Sequence, residues 1–402
     1  MEIRPILSAM LRNKLGAILI ATQIAVTLAI LCNGAFIIYQ RYENINRPTG
    51  MDVENIFSIA SQGIGNDNDV KGVTAQDLET IQAISGVISA ASTNHVPLSG
   101  SGWGDGIRSD LGDNSPSVST GVYMMDENGL ETLGVTLSSG RNFTREEMVY
   151  RADNSSLVPN VVLITQDLSD RLYPDEAETA LGKTVFFDSR PVEVIGIIEH
   201  MHGSWVSWDG LTQVTILPGL LLSNQTRYLI RTEPGLRDEI MPQVEEALVN
   251  LNSQRIVRQL RSMEDFAARS YATDNMIAVV MGTVIILLVI ITAMGIIGLV
   301  SFLVNQRTKQ IGTRRALGAQ KFHVIRYFLV ENWLITSIGL SVGLVLTILL
   351  NIYLVENFEM PRIDKIYLII GLVFIWFLGF IASLGPARKA ARVSPAIATR
   401  TV

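Results

Sequence analysis

Apolar residues fall into two patterns along this chain. In four stretches they run almost uninterrupted: residues 17–39 ("AILIATQIAVTLAILCNGAFIIY"), 276–304, 325–355 and 366–385. Each reaches the ~20 residues a helix needs to cross a hydrocarbon layer about 30 Å thick. Helices of soluble proteins average only ~11–12 residues, so four runs of this length predict four transmembrane helices. The first run also exceeds the ~7–15-residue apolar core of a secretory signal, and no small-x-small cleavage pattern follows it. It is read as a retained span.

Between the first and second runs the pattern shortens. "NIFSIAS" (55–61), "VVLIT" (161–165), "KTVFF" (183–187) and "VEVIGII" (192–198) are rich in β-branched and aromatic residues and predict strands. "TAQDLETIQAI" (74–84) predicts a helix starting at Thr74, with Leu78, Ile81 and Ile84 on one face. Residues 235–251 predict a second helix, weakened at Pro242. The Gly-, Ser- and Asp-rich stretch 99–120 predicts a long mobile loop. From 262 onward Met263, Phe266, Ala267, Ser270 and Tyr271 recur at helical spacing, with no Pro or Gly before Gly282. This predicts a stalk helix, marked by Met263, Phe266 and Tyr271, continuous with the second span. The fold class is therefore an α-helical membrane protein with four transmembrane helices and a large mixed α/β extracytoplasmic domain inserted between helices 1 and 2.

Composition agrees. Of 402 residues only 17% are charged and 48% are hydrophobic, against roughly 25% charged in soluble domains. Charge also sorts by segment. Residues 1–16 hold Arg4, Arg12 and Lys14 against one acid, and residues 306–324 ("QRTKQIGTRRALGAQKFHV") hold five Lys or Arg and no acid. The tail holds Arg388, Lys389, Arg392 and Arg400, again with no acid. Basic loops stay in the cytoplasm, so both termini are expected inside and residues 40–274 outside. That outer segment has 33 acidic and 17 basic residues, a net −16 within a chain of net −6. The acidic total conceals a bipolar molecule and by itself names no ligand.

The resulting order is a cytoplasmic segment 1–16, span 17–39, extracytoplasmic core 40–261, stalk and second span 262–304, and cytoplasmic segment 305–324. Span 325–355, a short outer loop 356–365, span 366–385 and a cytoplasmic tail 386–402 complete it. Cys32 is the one cysteine of the chain, so no disulfide framework holds the outer domain. Its length allows a core of its own.

Candidate chemistry is sparse. "ALGKT" (180–184) ends like a phosphate-binding loop, but Ala177 stands where that loop needs glycine. Gly182 is read as a turn before a strand, and ATP hydrolysis is not expected on this chain. His200 and His202 share a face at strand spacing and could begin a zinc site. His95 is the one further histidine in the domain, no acid stands at telling spacing, and no metal is expected. No nucleophile elbow or Cys–His pair occurs, and neither catalysis nor nucleic-acid binding is indicated. Gly339 and Gly343 form G-x-x-x-G, which lets helices approach closely, within one subunit or between two. Glu331 lies two turns into the third run, where an ionised carboxylate is expensive. It either sits at the headgroups or pairs with a basic residue of the preceding loop.

"RTKQIGTRRALGAQKFHVIRYFLVENWLI" resembles the loop and third span of the FtsX-like permeases, whose pattern runs approximately R-x-x-E-I-G-I-R-R-A-L-G-A and then F-L-x-E. Arg307, Ile311, Gly312, Arg314, Arg315, Ala316, Leu317, Gly318, Ala319 and Glu331 match, while Gln310 stands where the family commonly has Glu. Residues 130–147, 161–174 and 181–198 resemble recurring blocks of the MacB-type periplasmic core, and "LRNKLGAIL" and "PARKAARVSPAIATR" fit the chain ends. Stretches 99–120 and 200–226 lack a clear counterpart.

The resemblance implies an ABC transporter permease that transmits motion and encloses no substrate cavity. ATP and Mg would be bound by a separate cytoplasmic ATPase subunit, which would grip the segment Arg307 to Gly318, with Gly318 ending one short helix before another begins at Gln320. A second permease copy, identical or related, is implied, as are a periplasmic adaptor and an outer-membrane channel. The expected function is efflux or extrusion of a substrate from the periplasm, driven by ATP-dependent conformational change transmitted across the inner membrane. Lipoprotein release and regulation of cell-wall hydrolases are alternatives within the family, and a membrane-anchored ligand sensor is one outside it.

Overall fold

A computed structural model describes residues 14–63, 69–112, 116–152, 157–174, 180–187, 189–252, 255–358 and 360–394. Most of the expected inner segment at 1–16 and much of the tail, with Arg4, Arg12, Arg400 and also Ala177, lie outside the described residues. The chain divides into two compact units: residues Arg47–Ala272, and Met1–Asn46 together with Thr273–Val402.

The first unit is an α/β domain. Its strands are β1 (Ile56–Gly63), β2 (Val87–Thr93), β3 (Trp103–Arg108), β4 (Val118–Met125), β5 (Leu137–Gly140), β6 (Val149–Ala152) and β7 (Val161–Thr165). They continue with β8 (Thr184–Phe187), β9 (Arg190–Ile198), β10 (Val214–Leu222), β11 (Gln225–Thr232) and β12 (Arg255–Ser262). Four of them, in the order β12-β1-β11-β2, form an antiparallel sheet. Helices α2 (Val70–Gln82) and α5 (Arg237–Leu251) pack on it, bringing Ile81, Ile240, Val244 and Leu248 onto Phe57, Ile59, Tyr228 and Ile230. The same sheet continues through the β2–β4 pairing into a closed ring, β4-β3-β8-β9-β7-β10, with β10 returning to pair with β4 in parallel, while β5 pairs with β9 and β6 with β10. That ring encloses a second core of Ile107, Val122, Val162, Ile164, Val194 and Leu217. The helix α3 (Gly129–Leu133) follows β4, and α4 (Gln166–Leu172) follows β7 and adds Leu168 and Leu172 to this core. All five residues of β7 are buried, which is why its sequence is continuous Val, Leu and Ile rather than alternating.

Four expectations need correction. Helix α2 begins at Val70, not Thr74, because the Asp69 carboxylate accepts from the Gly72 amide at 2.9 Å and caps an earlier turn. Pro242 does not weaken α5 visibly, since the helix runs through it. Stretch 99–120 is not one long loop. It contains β3, whose glycines at 104 and 106 share one face of an ordered strand. Finally, the stalk is not continuous with the second span. Helix α6 (Met263–Ser270) ends at Tyr271, which has φ −88° and ψ 3°, and a new helix starts at Ala272. Met263, Phe266 and Tyr271 are all buried, and the Ser270 hydroxyl donates to the Leu98 carbonyl. Attachment of α6 to the α/β domain wins over helical continuity.

The second unit is helical. α1 (Lys14–Ile45), α7 (Ala272–Gln306), α9 (Lys321–Phe358) and α10 (Lys365–Ala391) are each long and apolar enough to cross a membrane, and α8 (Thr308–Ala316) is a short helix between α7 and α9. All four outrun the apolar stretches that predicted them. Pro386 does not end α10; a proline forfeits its own bond to the preceding turn, and the remaining ladder continues. Polar side chains tie the helices together. Thr27 and Thr292 hydroxyls meet at 2.8 Å, Asn33 donates to the Thr347 carbonyl at 3.2 Å, and Asn332 donates to the Gly379 carbonyl at 2.9 Å. Arg41 and Asp274 pair at 2.9 Å.

In the α/β domain Arg255 and Asp77 form a fully buried ion pair at 2.7 Å, and the Tyr228 hydroxyl donates to the same carboxylate at 2.7 Å. Helix α2 is thereby locked to β11 and β12. Asp77→Ala leaves the Arg255 charge buried and unpaired, so it should cost about 3–5 kcal/mol, whereas Asp77→Leu with Arg255→Met should come close to neutral. Thermal unfolding of the purified chain measures both. A loss below about 1 kcal/mol in Asp77→Ala would show that this network does not hold the sheet.

Candidate functional site

The segment between α7 and α9 draws a basic sequence into a defined shape. Ile311 and Gly312 on α8 are buried, with Ile311 entering the core beside Val324, Phe328, Ala387 and Ala390. Helix α8 closes with two bonds, Gly318 N–H to Arg315 C=O at 3.1 Å and Ala319 N–H to Arg314 C=O at 3.0 Å. This is the Schellman pattern, which requires a left-handed residue. Gly318 supplies it with φ +96°, and no atom lies within 4 Å of a Cβ placed there. Glycine is needed at 318 for its backbone alone.

Two polar anchors hold the segment to the helical bundle. Arg307, in the turn between α7 and α8, donates to the Glu331 carboxylate at 3.0 Å and to the Tyr327 hydroxyl at 3.1 Å. Glu331 is only 2% exposed, so the pair is dry at its acidic end. The Arg314 guanidinium stacks over the Tyr327 ring, 5.5 Å from its centroid. At the other end Arg315 donates to the Val393 carbonyl just beyond α10. A cleft of about 90 Å³ remains between α8 and α9, lined by Gln310, Arg314, His323 and Tyr327 among others.

Exposed on this segment are Gln310, Arg314, Ala316, Leu317 and Gly318, the first two at the rim of the cleft. Leu317 is 84% exposed. The arrangement offers an anchored platform whose exposed surface combines positive charge with one large apolar side chain. It has no nucleophile–base geometry; it suits recognition. Sequence spacing could have found Tyr327, one turn before Glu331 on the same face of α9. No sequence signal points to a bond with the backbone of Val393.

Gly339 and Gly343 lie against α1 of the same chain. A Cβ at Gly339 would stand 2.9 Å from the Ala21 carbonyl oxygen and from Ile24, and one at Gly343 would stand 2.9 Å from the Ala25 Cα. In the α/β domain the His200 and His202 rings are 5.2 Å apart. Burial, and then the nearby His200 and Arg47 charges, push His202 down to about 4. Among the described residues no group of three or more His, Cys, Asp or Glu is placed to hold a metal ion.

Residues 282–395 match the FtsX-like permease C-terminal family, and residues 18–262 match the MacB-like periplasmic core domain family. A macrolide export ATP-binding/permease protein MacB of Neisseria meningitidis is 24% identical, over 98% of this chain and 59% of its own length. The protein of the same name from Campylobacter jejuni is 25% identical over 69% of this chain and 44% of its own. The chain thus spans about half the length of the curated relatives it matches. Among solved structures, the periplasmic region of MacB from Actinobacillus actinomycetemcomitans covers 56% of this chain and 95% of its own, at 16% identity and a TM-score of 0.33. The extracellular domain of the transporter YknZ from Gram-positive bacteria covers 50% and 99%, at 14% identity and a TM-score of 0.32.

The glycine contacts generate a test. Gly339→Leu should force α1 and α9 apart and lower the thermal transition of the purified chain by several degrees, as overpacking costs ~1–3 kcal/mol. Gly385→Leu, where no atom lies within 4 Å of a Cβ, should leave the transition in place. Equal transitions for the two variants would mean that the glycines at 339 and 343 do not serve packing inside the chain.

Proposed function

The chain belongs to the MacB-like periplasmic core family and carries an FtsX-like permease region, and on that premise we propose that it is the membrane subunit of an ABC transporter extruding a substrate from the periplasm. ATP and Mg are bound by a partner ATPase subunit, which docks on the outer face of α8. The chain sits in the inner membrane with both termini in the cytoplasm and residues 40–274 outside, as its charge sorting suggests. It works as a pair with a second permease copy, alongside a periplasmic adaptor and an outer-membrane channel. The names of its relatives, which are macrolide exporters, support the extrusion role.

One observation carries the reading: a basic helix clamped to the spans at both ends. The exposed Arg314 and Leu317 take the ATPase contact, while Arg307, Ile311 and Arg315 pass its displacement into the bundle. A loose loop would absorb such a displacement; a segment fixed by a buried ion pair, a core isoleucine and a carbonyl bond transfers it. At Tyr271 the helix is broken, so no unbroken rod runs from α6 into α7.

The outer face of α8 is tested by Arg314→Glu with Leu317→Asp. Both residues are exposed, so membrane insertion should stay as in the native chain, and thermal stability should fall only by the lost Arg314–Tyr327 stacking, about 0.5–1 kcal/mol. Co-purification of the ATPase should fall at least about tenfold, since reversing charge complementarity costs several kcal/mol. Undiminished co-purification would exclude α8 as the docking face.

A further inference from the structure

The start of the connection from β9 to β10 holds the α/β domain at both of its chain ends. At the start of the domain, Arg47 donates to the Val206 carbonyl at 3.2 Å and His202 N–H donates to the Thr49 carbonyl at 3.0 Å. Between them His200 Nε2 lies 2.8 Å from the Pro48 carbonyl oxygen. At the end of the domain the Ser270 hydroxyl donates to the Leu98 carbonyl. Residues 98–100 in turn rest on the same connection: Leu98 N–H donates to the Gly203 carbonyl at 3.0 Å, and Gly100 N–H to the Ser204 carbonyl at 2.8 Å. Residues 200–206 are thus a strap between the segment that follows α1 and the end of α6.

Close approach sets the strap in place. Gly50 has φ +77°, and a Cβ there would overlap the His200 carbonyl. Residues 201–204 are buried although they form neither helix nor strand, so their polar groups need partners. Gly203 N–H donates to the Leu211 carbonyl at 2.6 Å, and the Ser204 hydroxyl meets that of Tyr123 at 2.7 Å. The His202 ring is the exception. It is 1% exposed, and its Nδ1 has no hydrogen-bond partner.

The charged groups that act on this ring are cationic: His200, whose ring lies 5.2 Å away, and Arg47. Acids on the same segments are engaged elsewhere, Asp52 with Arg231 at 2.9 Å and Glu199 with the Thr136 hydroxyl at 2.9 Å. Asp209, in the turn that follows, is exposed, and His95 on the neighbouring loop lies under the charge of Arg227. Among the described residues no carboxylate pairs with His202. A proton on its ring would be buried without a counter-charge, which is costly enough to move the ring into water.

We propose that residues 200–206 form an acid-released strap: protonation of His202 expels its ring into water and frees residues 48–50 and 98–100 from the connection. Burial, and then the His200 and Arg47 charges, hold the closed ring at about 4, whereas a solvated imidazole titrates near ~6.5. The closed state therefore binds the proton more weakly. Closure is complete above ~6.5 and is lost as pH falls from there toward 4. The response belongs to this chain alone. Only its use, as control of transport by the acidity outside, rests on the reading of residues 40–274 as extracytoplasmic.

The test is amide hydrogen exchange of the purified full chain in detergent at about pH 7.5 and about pH 5, read as protection factors so that the chemical effect of pH is removed. Peptides covering 95–101 and 199–206 should lose about thirtyfold in protection, because about pH 5 lies ~1.5 units below the solvated imidazole. Peptides of β7 should keep theirs. His202→Gln carries no titrating proton and should abolish the fall, while Gly50→Ala should show the acid level of protection already at about pH 7.5. The β7 peptides report whether each variant is folded, and the pH response of the native chain remains a test if a variant is not. A fall below about threefold in the native chain, an equal fall in β7, or the native fall in a folded His202→Gln variant would overturn the proposal.

Discussion

A carboxylate buried in a membrane helix must find a positive partner or give up its charge, and Glu331 finds Arg307 at 3.0 Å. Everything in the segment between α7 and α9 is arranged around that demand. Arg307 reaches Glu331 only if the chain turns as α7 ends, and that turn fixes where α8 starts. Tyr327 then takes a bond from Arg307 and the guanidinium of Arg314 against its ring. A buried pair of this kind adds little net stability, because desolvation offsets the attraction. Its effect is on geometry. Neither partner can leave without stranding the other, so the segment has one position relative to the spans.

The α/β domain uses the same device for another end. Asp77 and Arg255 lock a helix onto a sheet, while the neighbouring ring of strands combines an apolar core with neutral threonine hydrogen bonds, Thr120 to Thr215 and Thr165 to the Thr212 carbonyl. The sheet-and-helix part and the closed ring are joined through the β2–β4 pairing and differ in how they are held. Trp205 lies on the ring side, against the bare Gly104 face of β3. Tyr271, where α6 stops, belongs to the side of the sheet through β12 and β1.

Much of this was legible in the residues. The four helices long enough to span a membrane follow from the length of apolar runs, which hydrocarbon thickness dictates regardless of tertiary context. Strand β7 declared itself because a fully buried strand has no polar positions to hide it. Residues 99–108 misled for a physical reason: glycine signals a loop when counted, but its alternation signals a strand with one empty face, and the side chains that fill that face come from Trp205, a hundred residues away. The end of α6 was hidden in the same way, since the helical spacing through Tyr271 is real and only the distant Leu98 carbonyl, taken by Ser270, shows why the helix stops. Glu331 was legible as an anomaly, though the choice of Arg307 over the other basic residues of the segment needed the turn to be seen.

The central claim is that the Arg307–Glu331 pair fixes the basic segment to the spans. Amide hydrogen exchange across residues 308–316 of the purified chain tests it most directly. In Glu331→Gln these amides should exchange about a hundredfold faster than in the native chain, because the charge that holds Arg307 is gone. The exchanged pair Arg307→Glu with Glu331→Arg should restore much of the protection. Native protection in Glu331→Gln would contradict the account and leave α8 held by Ile311 and Arg315 alone.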